Sequence, residues 1–355
     1  MFKEGIFIKL KKRFTFLKKN SYKIKLFDKN YLLIKNIIIV LLVYIIILYK
    51  KINGLGLMNK IYKIFNAYPD IDLFLNNKTE FYFKTRKEIC KNYNESHLIT
   101  FQDKLNYLII HESAEYKSNI VDKIKLKEYS KKVLGKDICI PIIKIYNNAN
   151  EINLDILPDR FVLKCNHGSG MNIFCKDKSK FDLEMAKKKL NDWLNINYGL
   201  VGAEFQYYFI HRKIFASPYM GDIIDYKTFC FNGIPKFIAA KIALNEERNR
   251  FIYNYYDLNW TLTNIEYGSR NYIRDPNILI EKPKNLNILI YYAKKLSNEF
   301  VFVRVDFYEI NGTIYLGELT FTPSNLMNSF KNEEQSIYLG NLLDINKIRP
   351  YLYNN

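Results

Sequence analysis

The sequence predicts a mixed α/β (α+β) protein, and three patterns carry that prediction. Short apolar runs mark strands at 160–164 and 172–175, and apolar alternation marks one at 301–307, where every second residue belongs to one face. Helical spacing marks 182–194, with Leu183, Ala186, Leu190, Trp193 and Leu194 along one side as core residues. Glycine-centred breaks at 168–170, 232–233 and 311–312 separate the strands. With 355 residues, 48% of them hydrophobic, the chain is long enough to bury a large core.

The first element is basic and then apolar. Lys9, Lys11, Lys12, Arg13, Lys18, Lys19, Lys23, Lys25 and Lys29 lead into thirteen uninterrupted apolar residues at 37–49. A single span needs about 20, so the run is short for a crossing and suits a basic anchor at a membrane surface. If it crossed, the basic excess before it would keep the N-terminus inside. The long basic lead and the lack of a small-residue cleavage site argue against a cleaved signal peptide. Much of the formal charge of +18 is concentrated in this lead. Elsewhere lysines alternate with acids and form no ribbon of basic and aromatic residues, so no nucleic-acid partner is expected. An anionic substrate or membrane surface accounts for the excess. Asp70-Ile71-Asp72 matches the DxD pattern with which a glycosyltransferase holds Mn2+ and a sugar nucleotide, a match common by chance.

The next elements hold candidate phosphate ligands. A helix is expected from Asp122 to Gly135, with Gly135 as its stop and Lys123 at its start. The strand at 160–164 ends in Lys164 and enters Asn166-His167-Gly168-Ser169-Gly170 before the next strand. Small residues let backbone N–H groups approach phosphate oxygens, and the lysine adds charge beside them. The spacing is not that of a Walker loop. A Gly-Ser-Gly alone is more often a tight hairpin, and His167 is as suited to packing the loop as to touching phosphate.

Phe229, Phe231 and the strand at 235–242, joined by an Asn232-Gly233 turn, form a further hairpin. Lys227 and Lys241 project from it toward a phosphate or a substrate acid, or into solvent. The last hairpin is the most informative. Val301, Val303, Val305 and Phe307 make one apolar face, which leaves Arg304 and Asp306 together on the other. A two-residue Asn311-Gly312 turn would pair Asp306 with Gly317 and send Glu318 to the opposite face. A longer loop, or one bulge, would set Asp306 across from Glu318. Opposed carboxylates need a cation or a shared proton between them, and hard oxygen ligands suit Mg2+; the plainer alternative is a solvated hairpin face. Five cysteines without CxxC spacing fit a reduced, cytosolic setting, and four dispersed histidines offer no zinc site.

In order, Thr100 to Leu105, Asp122-Lys123, Leu157 to Lys164, the Asn166 to Gly170 loop, Asp225 to Gly233, Tyr256 to Trp260, Arg304-Val305-Asp306 and Gly317-Glu318-Leu319 resemble the ATP-grasp superfamily. Within it they are similar to the TupA-like branch of bacterial polysaccharide gene sets, from about Met58 to the C-terminus. The resemblance implies an ATP-grasp fold, with the nucleotide between two mixed or antiparallel sheet subdomains and a hydrophobic N-terminal helical extension. It implies boundaries at 1–57 for the extension, then about 100–160, 161–220 and 221–330, with a C-terminal helix at 331–355. Since it begins at Met58, that residue is an alternative start.

By the same resemblance Lys123 and Lys164 contact the phosphates of ATP, Gly168, Ser169 and Gly170 form the lid, and His167 of the same loop is placed with the ATP-binding residues. Ser217 stands where the hinge glutamate for the nucleotide is usual. Asp306 and Glu318 bind Mg2+, with Thr320 where many relatives carry a metal-binding asparagine. Arg304 and Lys164 act on the transferring phosphoryl group, while Lys227, Lys241 and Asn325 lie toward the substrates. The reaction implied is ligation of a carboxylate to an amine through an acyl phosphate, on a cell-surface polysaccharide or its precursor. The setting is cytoplasmic, at the inner face of the membrane, because ATP is cytosolic. The rivals are a sugar-nucleotide glycosyltransferase using Asp70 and Asp72, and a membrane-associated scaffold that kept the fold without the activity.

Overall fold

The structure, a computed structural model, describes residues 98–349 apart from 202–203, 222, 246–249, 268–271 and 327–329. The extension at 1–57, Met58, and the Asp70 and Asp72 pair lie outside the described residues. Everything described here belongs to one unit of the chain, Asn77–Asn355.

In chain order the elements are α1 (Phe101–His111), α2 (Ala114–Val121), α3 (Leu126–Leu134), β1 (Lys144–Tyr146), β2 (Phe161–Cys165), β3 (Asn172–Cys175), α4 (Leu183–Leu194) and α5 (Tyr198–Val201). There follow β4 (Ile214–Pro218), β5 (Asp225–Phe231), β6 (Ile234–Ala243), β7 (Phe251–Tyr256), β8 (Tyr272–Ile273), α6 (Leu286–Ser297), β9 (Phe302–Ile310), β10 (Thr313–Thr320) and α7 (Glu333–Asn341). They build two sheets. The smaller is antiparallel, ordered β1-β4-β2-β3; the larger is ordered β10-β9-β5-β6-β7-β8, antiparallel except for the β7–β8 pair. β1 lies well before the glycine loop in sequence yet pairs with β4, so the small sheet gathers residues from 144 to 218.

Each sheet has a covered face set by alternation. In β2, Phe161, Leu163 and Cys165 are buried in one cluster with Ala149, Leu190 and Ala216, and this turns Val162 and Lys164 to the other face. Leu190 of α4 is fully buried there. Leu190→Ala should therefore cost about 2–5 kcal/mol, read as a lower urea midpoint. In the large sheet Val303, Val305 and Phe307 are fully buried with Leu289, Ala293 and Leu296 of α6. Arg304 and Asp306 consequently face the opposite side.

The expected helix at 182–194 forms with Asp182 as N-cap, its Oδ1 accepting from Met185 N at 2.9 Å. The helix expected at 122–135 starts four residues later. Asp122 instead ends α2, and its Oδ1 accepts from Ile124 N at 2.8 Å and Lys125 N at 3.4 Å, a local turn that competes with helix. Gly135 does stop α3, at φ 72°. The C-terminal helix expected over 331–355 is only Glu333–Asn341, followed by a short 3-10 turn at Ile345–Lys347. Residues 350–355 lie outside the described residues. Both Asn-Gly pairs are two-residue hairpin turns with positive φ at both positions, 50° and 77° in each.

Candidate functional site

The site begins with a bulge. The two-residue Asn311-Gly312 turn pairs Ile310 with Thr313, and that register alone would bring Gly317 opposite Asp306. The register shifts by one between Leu316 and Glu318, so Glu318 becomes the partner of Asp306 and Thr320 the partner of Arg304. Gly317 permits this by having no Cβ: one built there would lie 2.7 Å from Cε2 of Tyr308. Both acids now stand on the face that Arg304 occupies.

Neighbouring strands extend the row. Lys227 of β5 pairs with Asp306, and Asp225 pairs with Lys241 of β6. Arg304 grips Asp306 with two bonds, Nε to Oδ1 at 2.7 Å and Nη2 to Oδ2 at 2.6 Å. Its Nη2 also lies 3.1 Å from Thr320 Oγ1 and 3.4 Å from Glu318 Oε1. Lys227 donates to Asp306 Oδ2 and stands 2.8 Å from Asp225 Oδ2, while Lys241 reaches the same Asp225 oxygen at 2.9 Å. Lys227 and Lys241 are thus ion-paired rather than solvated. Asp225 was not foreseen, although it stands two residues before Lys227 and period-2 alternation puts both on one face.

The small sheet supplies the remaining charge through the turn after α2. Lys123 Nζ donates to the Gly168 carbonyl at 2.5 Å and lies 3.8 Å from Glu318 Oε2, tying the glycine loop to the hairpin. Asn166 anchors the base of that loop, which sequence reasoning also missed. Its Nδ2 donates to Asp122 Oδ1 at 3.0 Å and to the His211 carbonyl at 3.1 Å, and its Oδ1 accepts from Lys213 N at 2.8 Å. Within the loop Gly168 is buried, and a Cβ there would meet the Tyr198 ring at 2.8 Å; Ser169 and Gly170 are exposed.

Electrostatics separate the roles. Burial pushes the Lys164 ammonium down to about 8, aided by Lys123 and opposed by Glu318. Lys164 makes no hydrogen bond or ion pair among the described residues. Burial alone would push Glu318 up, yet Lys123, Lys227 and Arg304 together hold it at about 2. Burial raises Asp306 against the pull of Arg304 and Lys227. Five cations, Lys123, Lys164, Lys227, Lys241 and Arg304, thus face three carboxylates, Asp225, Asp306 and Glu318. Lys123 is shared between Glu318 and the Gly168 carbonyl, and Lys164, beside the glycine loop, is the cation without an ion-pair partner among the described residues.

One expected ligand is turned away from the site, and a second keeps its place on the sheet face of Lys164. His167 is fully buried with Nε2 3.1 Å from the Trp193 carbonyl, and burial pushes its imidazole down to about 4. Neutral and turned to α4, its ring packs the loop instead of meeting phosphate. Ser217 lies on β4 opposite Val162, on the same sheet face as Lys164, with 1% exposure and no partner for its Oγ among the described residues. Asn325 belongs to the turn Pro323–Leu326, and its side chain lies outside the described residues.

No group of three or more His, Cys, Asp or Glu positioned for a metal occurs among the described residues. Mg2+ needs less, since it is held by one or two carboxylates plus substrate phosphates. Glu318 fits that demand: its side chain is 28% exposed, and among the described residues Oε2 has no cation nearer than Lys123. Asp306, with both oxygens engaged and no exposure, offers a metal nothing in this arrangement.

The TupA-like ATPgrasp family profile matches residues 103–344, more than half of the chain. The chain belongs to the TupA-like ATP-grasp family. This ATP-grasp protein is also similar to three solved structures. D-alanine–D-alanine ligase from Bacillus anthracis aligns at 16% identity and TM-score 0.35, over 57% of each chain. L-amino acid ligase from Bacillus licheniformis aligns at 14% and 0.36, over 57% of this chain and 42% of that one. Biotin carboxylase from Campylobacter jejuni aligns at 13% and 0.38, over 74% and 51%. The match thus spans about half the length of each solved protein. A search of curated proteins finds no match. Among the described residues no helix is long and apolar enough to cross a membrane.

Proposed function

We propose that this ATP-grasp protein is an ATP- and Mg2+-dependent carboxylate–amine ligase. The observation that carries the reading is the convergence of Lys123, Lys164, Arg304 and Glu318 beside a glycine loop, with Lys164 lacking an ion-pair partner among the described residues. Lys123 and Lys164 hold the nucleotide phosphates, and the loop's backbone N–H groups complete the cradle. Arg304 Nη2, already turned toward Glu318, stabilises the phosphoryl group in flight. Glu318 would hold Mg2+, which would supply charge neutralisation on the phosphates. The substrate carboxylate attacks the γ-phosphorus and releases ADP; the amine then attacks the acyl phosphate and releases phosphate. Such chemistry needs alignment and electrostatics rather than a protein nucleophile, which matches this residue set.

Resemblance to the TupA-like branch supports a glycan-linked acid or amine on a cell-surface polysaccharide or its precursor. The basic, apolar extension supports a place at the inner face of the cytoplasmic membrane.

The test is calorimetric titration of the full chain with AMP-PNP and Mg2+. Wild type binds, and Lys164→Ala binds about 10- to 100-fold more weakly, the size of one lost charge-assisted hydrogen bond. Folded wild type that binds no AMP-PNP would sink the reading and favour the scaffold. The pH dependence has a definite sign. Lys164 carries its charge below about 8, so affinity falls as pH rises through that value, and binding takes up protons near it. Titrations in two buffers of different ionisation enthalpy read the uptake, and Lys164→Ala abolishes it.

A further inference from the structure

Asp225, Asp306 and Glu318 follow one another across β5, β9 and β10, and each gap between neighbours holds a cation of the protein itself. Between Asp306 and Glu318 it is Arg304, bonded to the first at 2.6 and 2.7 Å and 3.4 Å from the second. Between Asp225 and Asp306 it is Lys227, whose Nζ contacts an oxygen of each. Asp225 Oδ2 takes Lys241 as well, and Oδ1 is buried without a hydrogen-bond partner among the described residues. Both oxygens of Asp306 are taken, and the residue has no exposed surface. Only Glu318 has a side chain more than a quarter exposed.

We propose that Lys227 is a built-in cation occupying the position between Asp225 and Asp306 that a divalent metal would otherwise take, so that the site accepts one divalent metal per nucleotide, at Glu318. The proposal rests on the nucleotide reading above. Two facing carboxylates with oxygens converging on one point are a ready donor pair for a hard cation. An ammonium there satisfies the same electrostatic demand and donates hydrogen bonds to both. Covalently tethered and shielded from water, it is not displaced by metal at ordinary concentrations. Lys227 is a positioning residue in this role, fixing Asp306 and through it Arg304.

Bound Mn2+ is counted by electron paramagnetic resonance on the full chain at saturating AMP-PNP. The expected count is one per bound nucleotide, and Glu318→Gln weakens that ion by at least about tenfold. Two ions in wild type, or one whose affinity Glu318→Gln leaves unchanged, overturns the proposal. Lys227→Met empties the Asp225–Asp306 position and should add a second ion; a count that stays at one also overturns it. Should Lys227→Met not fold, the wild-type and Glu318→Gln counts decide alone. Failure of wild type to bind AMP-PNP is a failure of the nucleotide reading, and the proposal then stands on a measurement without nucleotide. There, Mn2+ raises the melting temperature of Lys227→Met and leaves wild type unchanged; an equal response in both overturns it.

Discussion

Arg304→Ala should destabilise the protein by about 3–5 kcal/mol and abolish AMP-PNP binding. The guanidinium supplies two of the three short bonds to a carboxylate with no exposed surface, and among the described residues Lys227 alone would remain to face it. Removing one partner of a buried pair leaves the other charge with its full desolvation penalty, a larger loss than the pair's own net worth. Urea unfolding reads the stability and calorimetry the binding. Arg304→Lys should recover only part of either, because an ammonium cannot make the bidentate grip and still reach Thr320 and Glu318. A stability loss under about 1 kcal/mol in Arg304→Ala would show that Lys227 alone suffices for Asp306.

The second large effect is expected at a residue that touches no substrate. Asn166→Ala removes three hydrogen bonds that join the glycine loop to Asp122, to the His211 carbonyl and to Lys213 N. At about 1 kcal/mol each, the loss is about 3 kcal/mol. The same change unfastens the turn that presents Lys123, so AMP-PNP affinity falls with stability. Asn166→Asp keeps the size and the Lys213 acceptor but sets a carboxylate against Asp122 Oδ1, and it should be as damaging as Ala. An Asn166→Asp variant with wild-type affinity and unfolding midpoint would contradict this account of the loop.

Local periodicity made much of the site legible. Arg304 and Asp306 share a face because strand residues alternate, and Phe307, Val305 and Val303 named the buried side without ambiguity. The same rule would have placed Asp225 beside Lys227. What sequence leaves open is whatever a distant residue decides. Whether Glu318 joins Asp306 depends on a bulge, and the bulge on how the Tyr308 ring lies against Gly317. His167 looks like a loop histidine until the end of α4, twenty-six residues on, claims its ring. Helix at 122–125 was lost to a side chain bonding its own backbone, a competition that propensity does not weigh.

The Gly317 bulge also makes the hairpin sensitive to parity. Between Asp306 and Glu318 an insertion or deletion of one residue exchanges the site face for the core face, turning a carboxylate into the α6 packing layer and an apolar side chain toward Arg304 and Lys227. A change of two residues leaves the face intact and only lengthens or shortens the arm. Length variation at this hairpin is therefore tolerated in even steps, and a chain that departs by an odd number must carry a second bulge to keep its acids together.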